Sequence, residues 1–501
     1  MEINAQTWEF IRSHRNDDVR DLALHSGKGG DGIDPPFALD QIAGWQRART
    51  KLPEWAAHDG VIYPPHISME QCSSQSTAQY KAGVAQRLMS GLKDTERHDT
   101  ATNDPRPLRA VAESQEPSGT LVDLTGGFGV DFSYMARGFA HATYVERQSH
   151  LCEIAEHNMC ALGLDHVTIV NGDAEEYLAE MPARDATHGA CPAEPILVFL
   201  DPARRDAHGA RTYAIADCTP DVLALKSVLL SKADWVMVKL SPMLDWRKTV
   251  ADLGSCVREV HIVSAGNECK ELLVVLASPR TQNNGSTVAR AGDAMEERSI
   301  RMVCVNDDDV LEYAVDAEGR ILDTETQTIL DTADHEHVGE ILETEAWRAR
   351  GLTPSPEESD PDPAGPANPT DCGSTEPRYL FEPNASIMKA GCFDLLERRY
   401  VWHGLRQIGP NSHLFTSAEP IPGFPGRAFL IDRVTGMGKK ELKSALAGIT
   451  HANIAVRNFP MPVATLRKKL KLKDGGETYI FATTTANGQH TLMITRKPTK
   501  C

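Results

Sequence analysis

The sequence predicts an α/β chain in which a doubly wound, mainly parallel sheet follows a helical lobe and precedes a small α+β domain. Between residues 113 and 280, short apolar or β-branched runs alternate with helical segments, the pattern of parallel strands joined by crossover helices. The last two strands, Val257 to Ser264 and Glu271 to Leu276, are separated by six residues. Because six residues cannot form a crossover helix, these strands are predicted to pair as an antiparallel hairpin at the edge of the sheet.

The first strand of this region, Leu121 to Leu124, leads directly into a glycine-rich turn. Glycine lets backbone amides approach a ligand closely where a strand passes into a helix, here predicted from Phe132 to Arg137. The next strand, Ala142 to Val145, ends in Glu146, about 20 residues after the turn, where a carboxylate accepts the hydroxyls of a ribose. The pattern therefore predicts a cofactor that carries a nucleoside. The strand and turn contain Asp123, Thr125, Gly126, Gly127 and Gly129.

Two further strands end in polar residues. A helix from Ser149 to Leu162 precedes the strand Val167 to Val170, which is followed by Asp173. Asp173 has two interpretations, a cofactor contact or the N-cap of the next helix. The most apolar strand, Ile196 to Leu200, reads as a buried parallel strand, and ligands bind at the carboxyl ends of such strands. The residues after it are Asp201, Pro202, Ala203, Arg204 and Arg205.

These segments resemble motifs I, III and IV of the class I S-adenosylmethionine (SAM) methyltransferases, which have a Rossmann-like sheet. The stretch from Gly127 lacks the third glycine of the dinucleotide fingerprint, so the resemblance favours SAM over a nicotinamide cofactor. It implies that the glycine turn, with Asp123 and Thr125, holds the methionine part of SAM, that Glu146 holds the ribose and that Asp173 holds the adenine. It also implies that Asp201 and Pro202 position the methyl acceptor.

The motif after Leu200 departs from the family pattern for base amines, which is Asp-Pro-Pro-aromatic or Asn-Pro-Pro-aromatic. Ala203 replaces the second proline and Arg204 replaces the aromatic residue. Arg204 and Arg205 are predicted to contact an RNA phosphate, and the alternative is a salt-bridged surface. Neither this motif nor Ser241-Pro242-Met243 contains a cysteine, so direct transfer without a covalent intermediate is favoured.

The charge distribution is strongly asymmetric. The chain has a formal net charge of −18, yet residues 376–501 contain 19 Lys and Arg against 9 Asp and Glu. Residues 281–375 contain 22 acidic against 6 basic residues. This asymmetry favours a basic interaction module attached to an acidic body; the alternative is a basic domain that pairs with the acidic surface.

The eleven cysteines form no Cys-x-x-Cys pair and no zinc-ligand cluster, so they are interpreted as free thiols of a reducing cytosol without a metal. No signal peptide and no apolar run of membrane-spanning length is found, which predicts a cytoplasmic location and no membrane contact.

The flanking segments suggest six divisions. The helical lobe (1–112) includes a helix around Leu39 to Arg49 and a helix near Tyr80 capped by Ser73 or Ser74; residues 93–118 are interpreted as a linker. We expect the methyltransferase domain at 113–280, an acidic β-containing segment at 281–350, a disordered proline-rich linker at 351–377, a connecting α/β segment at 378–423 and the basic α+β domain at 424–501.

The C-terminal domain carries five basic residues within seven positions, before a glycine turn and a strand with Tyr479 and Phe481. Closely spaced bases beside such a turn suit a phosphate backbone. This segment resembles the THUMP-like domain that follows a methyltransferase in a family of bacterial proteins, and true THUMP domains bind RNA. The predicted RNA-binding residues here are Arg467, Lys468, Lys469, Lys471 and Lys473.

Together these patterns predict a SAM-dependent methyltransferase that modifies a base nitrogen in structured ribosomal or transfer RNA without a metal. Two alternatives remain open. One is a methyltransferase of a protein or small molecule, with a C-terminal domain used only for dimerisation. The other is a SAM- or RNA-binding protein without catalysis, which the altered motif after Leu200 would suit. The sequence does not predict an oligomeric state.

Overall fold

The computed structural model describes residues 3–25, 32–90, 117–184, 194–204, 215–279, 281, 299–322 and 378–498; for Arg204 it describes the backbone only. The chain divides into two compact units, Met1–Gly319 and Arg320–Cys501. No helix among the described residues is long and apolar enough to cross a membrane. Arg205 and the predicted linker at 351–377 lie outside the described residues. The predicted linker at 93–118 and the acidic segment at 281–350 lie mostly outside them.

The first unit begins with helices and continues as an alternating α/β fold. Its helices are α1 (Ala5–His14), α2 (Val19–His25), α3 (Pro35–Lys51), α4 (Pro53–Ala57), α5 (His66–Gln71), α6 (Gln75–Ser90), α7 (Val130–Ala136), α8 (Ser149–Ala161), α9 (Ala174–Glu180), α10 (Val222–Lys232) and α11 (Trp246–Leu253). Its strands are β1 (Thr120–Asp123), β2 (His141–Glu146), β3 (Val167–Asn171), β4 (Ile196–Leu200), β5 (Ala203–Arg204), β6 (Cys218–Thr219), β7 (Trp235–Leu240), β8 (Val257–Ala265), β9 (Glu268–Ala277), β10 (Ile300–Asn306), β11 (Asp309–Val315) and, just beyond Gly319, β12 (Ile321–Leu322).

A ten-stranded sheet of order β12-β11-β10-β8-β9-β7-β4-β1-β2-β3 organises the first unit. Strands β3, β2, β1, β4 and β7 are parallel, whereas β9 is antiparallel to both β7 and β8. The predicted doubly wound sheet with its hairpin is confirmed. Beyond the hairpin the sheet continues, because β10 pairs in parallel with β8 and then forms a second hairpin with β11. The two strands expected in the acidic segment thus belong to this sheet.

The N-terminal helices share a hydrophobic core with one face of the sheet. Trp55 and Ile62 from the helical lobe lie in the same buried cluster as Phe132 and Tyr144. Helix α6 is also anchored by polar contacts, since the Arg87 guanidinium binds the Glu259 carboxylate of β8 and the Tyr80 hydroxyl lies 2.7 Å from His261 Nδ1. The lobe is therefore fixed against the strands that carry the predicted site.

The strands of the second unit are β13 (Tyr379–Pro383), β14 (Arg406–Gln407), β15 (Phe415–Ser417), β16 (Gly426–Thr435), β17 (Asn453–Arg457), β18 (Thr478–Thr484) and β19 (His490–Arg496), and its helices are α12 (Ala385–Ala390), α13 (Phe393–Arg399), α14 (Lys439–Ala445) and α15 (Val463–Leu470). The strands form a seven-stranded sheet of order β14-β15-β13-β16-β19-β18-β17. Helices α14 and α15 cover one face of this sheet, because Ala445, Leu466 and Leu470 share a core with Ile480 and Ile494. The segments predicted at 378–423 and 424–501 contribute strands to this single sheet.

Candidate active site

Polar residues converge at one edge of the large sheet. Strands β1, β2 and β4 are parallel neighbours, and their carboxyl ends carry Asp123, Glu146 and Asp201 respectively. Lys239 lies near the carboxyl end of β7, the neighbour of β4. The start of β9 runs beside that end of β7, which places Glu271 at the same edge. This is the position at which open α/β sheets bind their ligands.

The turn after β1 requires glycine at several positions. A Cβ atom on Gly126 would lie 2.1 Å from the Tyr144 ring, and that ring is fully buried. Gly127 and Gly129 have φ angles of 54° and 83°, in the left-handed region that favours glycine. Gly129 also precedes the first residue of α7, so the turn delivers the chain to a helix N-terminus. The loop therefore exposes backbone that a ligand can approach closely.

Glu146 is bound directly to the glycine turn. Its Oε2 accepts a hydrogen bond from the Gly127 amide at 3.1 Å, and its Oε1 accepts one from the Gln148 amide at 2.9 Å. The Tyr144 hydroxyl, from the same strand, donates to the Gly127 carbonyl. These contacts hold the carboxylate predicted to bind a ribose against the loop predicted to hold the rest of the cofactor.

Thr125 joins the glycine turn to the turn that follows β4. Its amide donates to Asp123 Oδ1 at 2.9 Å, and its hydroxyl oxygen accepts a hydrogen bond from the Asp201 amide at 2.6 Å. Burial raises the pKa of Asp123 to about 8, so this side chain is largely protonated at neutral pH. Pro202 is buried, whereas the Asp201 side chain is 41% exposed and therefore accessible to a substrate.

A buried network of charges, which was not predicted from the sequence, supports Asp201. Lys239 Nζ lies 2.5 Å from Asp201 Oδ2 and 3.5 Å from Asp131 Oδ2. Behind it, Lys81 Nζ lies 3.2 Å from Asp131 Oδ1 and contacts both Glu271 oxygens, at 2.6 and 2.8 Å. Lys81 is fully buried and belongs to α6, so the helical lobe contributes directly to this cluster.

The electrostatics of the cluster fix its charges. Burial opposes the charge on Lys239, but the carboxylates of Asp201, Asp131 and Glu271 raise the pKa of Lys239 above its ordinary value, so the side chain is a cation. Burial likewise opposes ionisation of Asp131, but Lys81 and Lys239 lower the pKa of Asp131 below its ordinary value. The two lysines therefore compensate carboxylates that would otherwise be costly to bury.

The sequence contained a weak signal for this cluster. Lys239 interrupts the apolar run of β7, and Glu271 precedes the apolar run of β9. Ser73, interpreted as a possible helix cap, instead donates its hydroxyl to Asp131 Oδ2 at 2.7 Å, while Ser74 Oγ accepts from the Thr77 amide at 3.3 Å near the start of α6. The capping interpretation therefore applies to Ser74.

The structure describes three other predicted residues to different extents. Asp173 is the N-cap of α9, since its Oδ1 accepts from the Glu175 amide at 2.8 Å and the Glu176 amide at 3.4 Å. It still lies beyond the carboxyl end of β3, next to Glu146 on β2, because the Gly172 amide donates to the Glu146 carbonyl at 3.1 Å. Arg204 has only its backbone described, in β5, and Arg205 lies outside the described residues.

The predicted basic run occupies the end of α15 and the turn after it. Lys468, Lys469, Lys471 and Lys473 are exposed. Arg467 differs, because its guanidinium donates to the Ala452 carbonyl at 2.8 Å and lies 2.6 Å from Asp474 Oδ1, which makes it a structural anchor of the turn. Helix α14, on the same face of the sheet, adds exposed lysines that the sequence prediction did not include: Lys439, Lys440 and Lys443.

The connecting α/β segment predicted at 378–423 contains two short helices separated by a glycine. Gly391, with a φ angle of 72°, ends α12, and α13 begins at Phe393. A left-handed glycine is a common helix stop, so Gly391 explains why this stretch forms two helices.

Comparison with known proteins agrees with this architecture. Residues 426–497 match the family model described as THUMP domain-like, and residues 379–425 match a ferredoxin-like domain model. A comparison with curated protein sequences found no match.

Among solved structures, the chain is similar to the "putative methyltransferase" of Porphyromonas gingivalis W83. The two are 27% identical with a TM-score of 0.66, over 99% of this chain and 98% of that one. An "rRNA methylase" from Streptococcus thermophilus matches 36% of this chain and 99% of its own length, at 14% identity and a TM-score of 0.24. A "putative methyltransferase" from Streptococcus mutans in complex with SAH matches 34% of this chain and 97% of its own length, at 11% identity and a TM-score of 0.24. On its sheet topology and its similarity to the Porphyromonas gingivalis protein, the chain has a Rossmann-like methyltransferase fold, and its C-terminal sheet is built from segments that match the ferredoxin-like and THUMP domain-like models.

Proposed function

We propose that this protein transfers a methyl group from SAM to RNA. The observation that carries the proposal is the junction at the carboxyl ends of β1, β2 and β4. There a glycine turn, the Glu146 carboxylate and the Asp201 turn are tied together by hydrogen bonds from backbone amides to side chains. The turn proposed to hold the cofactor and the polar group proposed for the acceptor would thus be adjacent, as methyl transfer requires.

The residues at this junction fit SAM. Gly127 and Gly129 adopt left-handed conformations and Gly126 packs against the buried Tyr144 ring, so this turn would present backbone, without side chains, to the methionine part of the cofactor. Glu146, held at the turn, would accept the ribose hydroxyls, and Asp173 would contact the adenine through the oxygen that does not cap α9. Bound SAM supplies an electrophilic methyl group on a sulfonium sulfur, so the protein needs mainly to position and desolvate the acceptor.

The RNA part of the proposal rests on the second unit. Its exposed lysines on α14, α15 and the following turn form a basic surface on a domain that matches the THUMP domain-like model. Arrays of exposed lysines bind phosphate backbones by releasing counterions. A substrate that is a protein or a small molecule would not need this surface.

The test is transfer of labelled methyl from SAM to unmodified ribosomal and transfer RNA transcripts and to total RNA. We expect label in RNA with the full chain, and its loss in Asp201→Ala with SAM affinity retained in calorimetry. If SAM binds but no RNA is labelled, the RNA proposal is wrong and a protein or small-molecule acceptor, or a binding role, takes its place. If SAM does not bind, the enzyme proposal itself fails.

A further inference from the structure

The polar groups beside Asp201 bear on which atom receives the methyl group. We infer that the acceptor is a hydroxyl oxygen, the ribose 2′-hydroxyl of RNA, and that Lys239 and Asp201 together activate it. This inference rests on the proposed function and replaces the base nitrogen that motif IV suggested from the sequence. It makes Lys239 a catalytic residue for the proposed reaction.

The geometry places a cation and a carboxylate where the acceptor must lie. Lys239 Nζ is 2.5 Å from Asp201 Oδ2, and the Asp201 amide is fixed to Thr125 of the β1 segment. The Asp201 side chain is 41% exposed and that of Lys239 is 12% exposed. The pair therefore lies at the boundary between the buried network and the open edge of the sheet, within reach of a substrate.

The sign of the developing charge distinguishes the two acceptor classes. An amine nitrogen that attacks a methyl group becomes positively charged, so a neighbouring ammonium would oppose the reaction. A hydroxyl oxygen that loses its proton during attack becomes negatively charged, and a fixed ammonium stabilises it. Lys239 thus favours oxygen. The Asp-Pro-Ala-Arg turn points the same way, since it lacks the second proline and the aromatic residue typical of base-amine acceptors.

The network behind the pair explains how Lys239 keeps its position. Asp131 contacts Lys239 on one side and Lys81 on the other, and Lys81 is neutralised further by Glu271. A Lys239 side chain that paired with Asp201 alone would have more conformational freedom at the edge of the site. With Asp131 as a second anchor, Nζ is preorganised, and preorganised charges need no reorientation as the reaction proceeds.

The proposed step is a direct methyl transfer without a covalent intermediate. The acceptor oxygen forms a bond to the methyl carbon, and the bond between that carbon and the sulfonium sulfur breaks with its electron pair passing to sulfur. The hydroxyl proton passes to Asp201 Oδ1, the oxygen not engaged by Lys239, and then to solvent. Lys239 keeps its proton throughout and donates a hydrogen bond to the oxygen while the negative charge develops.

Product analysis with the unaltered full chain tests the inference. Methylation of a 2′-hydroxyl blocks cleavage of the adjacent phosphodiester by alkali, because that hydroxyl is the internal nucleophile. Unmodified transcripts are labelled with methyl from SAM and hydrolysed in alkali. We expect the label in alkali-stable dinucleotides. Label in mononucleotides would show a methylated base and overturn the inference while leaving the RNA methyltransferase in place. No label in RNA would remove the inference and the proposed function together.

Variants of Lys239 test its role. Lys239→Met should lower kcat about 100-fold or more, by analogy with the loss of one oxyanion donor, with little change in KM and with SAM affinity within about twofold of the original. Lys239→Arg keeps the cation and should retain more activity than Lys239→Met. The matched control is Lys270→Met, which removes an exposed lysine from the neighbouring β8–β9 hairpin. Equal kcat values for Lys239→Met and the control would assign Lys239 a structural role and overturn its part in the inference.

A fold check accompanies these variants, because loss of Lys239 leaves Asp131 with one cationic partner fewer. Trp55 and Trp246 are buried in the first unit, so their fluorescence reports its unfolding. If Lys239→Met unfolds, Lys239→Arg together with the alkali-stable product of the unaltered chain still decides the question.

Discussion

Lys81→Met removes the central cation of the buried network, and its consequence can be estimated from the structure. Lys81 is fully buried, and its Nζ contacts Glu271 at 2.6 Å and Asp131 at 3.2 Å. Methionine is of similar length but carries no charge, so Glu271 is left without this partner. Breaking a buried ion pair by removing one member typically costs about 3–5 kcal/mol. We expect the first unit to lose stability of that order near pH 8.

The loss should depend on pH in a defined direction. Burial already raises the pKa of Glu271, and removing Lys81 raises it further. A carboxyl group whose pKa is higher in the folded than in the unfolded state holds an extra proton between those two values. Stability from that proton is present at low pH and is lost as the pH rises. The deficit of Lys81→Met should therefore be smaller at pH 5 than at pH 8.

Urea unfolding followed by tryptophan fluorescence at both pH values provides the measurement. The companion variant Lys81→Met/Glu271→Leu removes both partners, and replacing a buried pair by apolar residues of similar size is often nearly neutral. It should regain much of the lost stability, because Asp131 keeps Lys239 at 3.5 Å and the Ser73 hydroxyl at 2.7 Å. A deficit below about 1 kcal/mol, or one equal at both pH values, would refute the reasoning.

Three further predictions concern the glycine turn, the buried acid and the basic surface. Gly126→Ala should destabilise the first unit by about 1–3 kcal/mol and weaken SAM binding, because the added Cβ would lie 2.1 Å from the Tyr144 ring. In a double-mutant cycle with Tyr144→Val, the losses of stability caused by the two substitutions should be clearly non-additive. Additive losses would contradict the proposed clash. The pKa of Asp123 is raised to about 8 in the folded state, so the free energy of unfolding should fall by on the order of 2 kcal/mol from pH 5 to pH 7. Asp123→Asn should abolish this part of the pH dependence in urea titrations. An unchanged slope of unfolding free energy against pH would show that Asp123 is ionised. The double variant Lys468→Gln/Lys469→Gln should weaken RNA binding, measured by fluorescence anisotropy. The slope of the logarithm of the RNA-binding constant against the logarithm of the salt concentration should decrease in magnitude by about 1.5. An unchanged slope would show that the RNA binds elsewhere.

Local patterns in the sequence determined the fold. Apolar runs alternating with helices predicted the parallel strands, and the six-residue connection predicted the β8–β9 hairpin, because strand pairing and crossover length depend on short-range geometry. The glycine turn and Glu146 were predicted for the same reason, since they adjoin strands whose order the α/β pattern implies. The continuation of the sheet through β10 and β11 was not predicted, because about 20 residues separate β9 from β10 and no local pattern sets the register of strands joined by so long a connection.

Only the tertiary structure assembled the charge network. Lys81, Asp131, Asp201, Lys239 and Glu271 span 190 positions along the chain and lie on a helix, a helix start, a turn and two strands. A lysine on an amphipathic helix is usually a solvated residue, and nothing local distinguishes Lys81 from such a residue. Its burial follows from the docking of α6 against the sheet, which brings its cation to carboxylates that the interior cannot hold unpaired. Charge pairing across such distances is a property of the packed fold, and so is the environment proposed to select the acceptor atom.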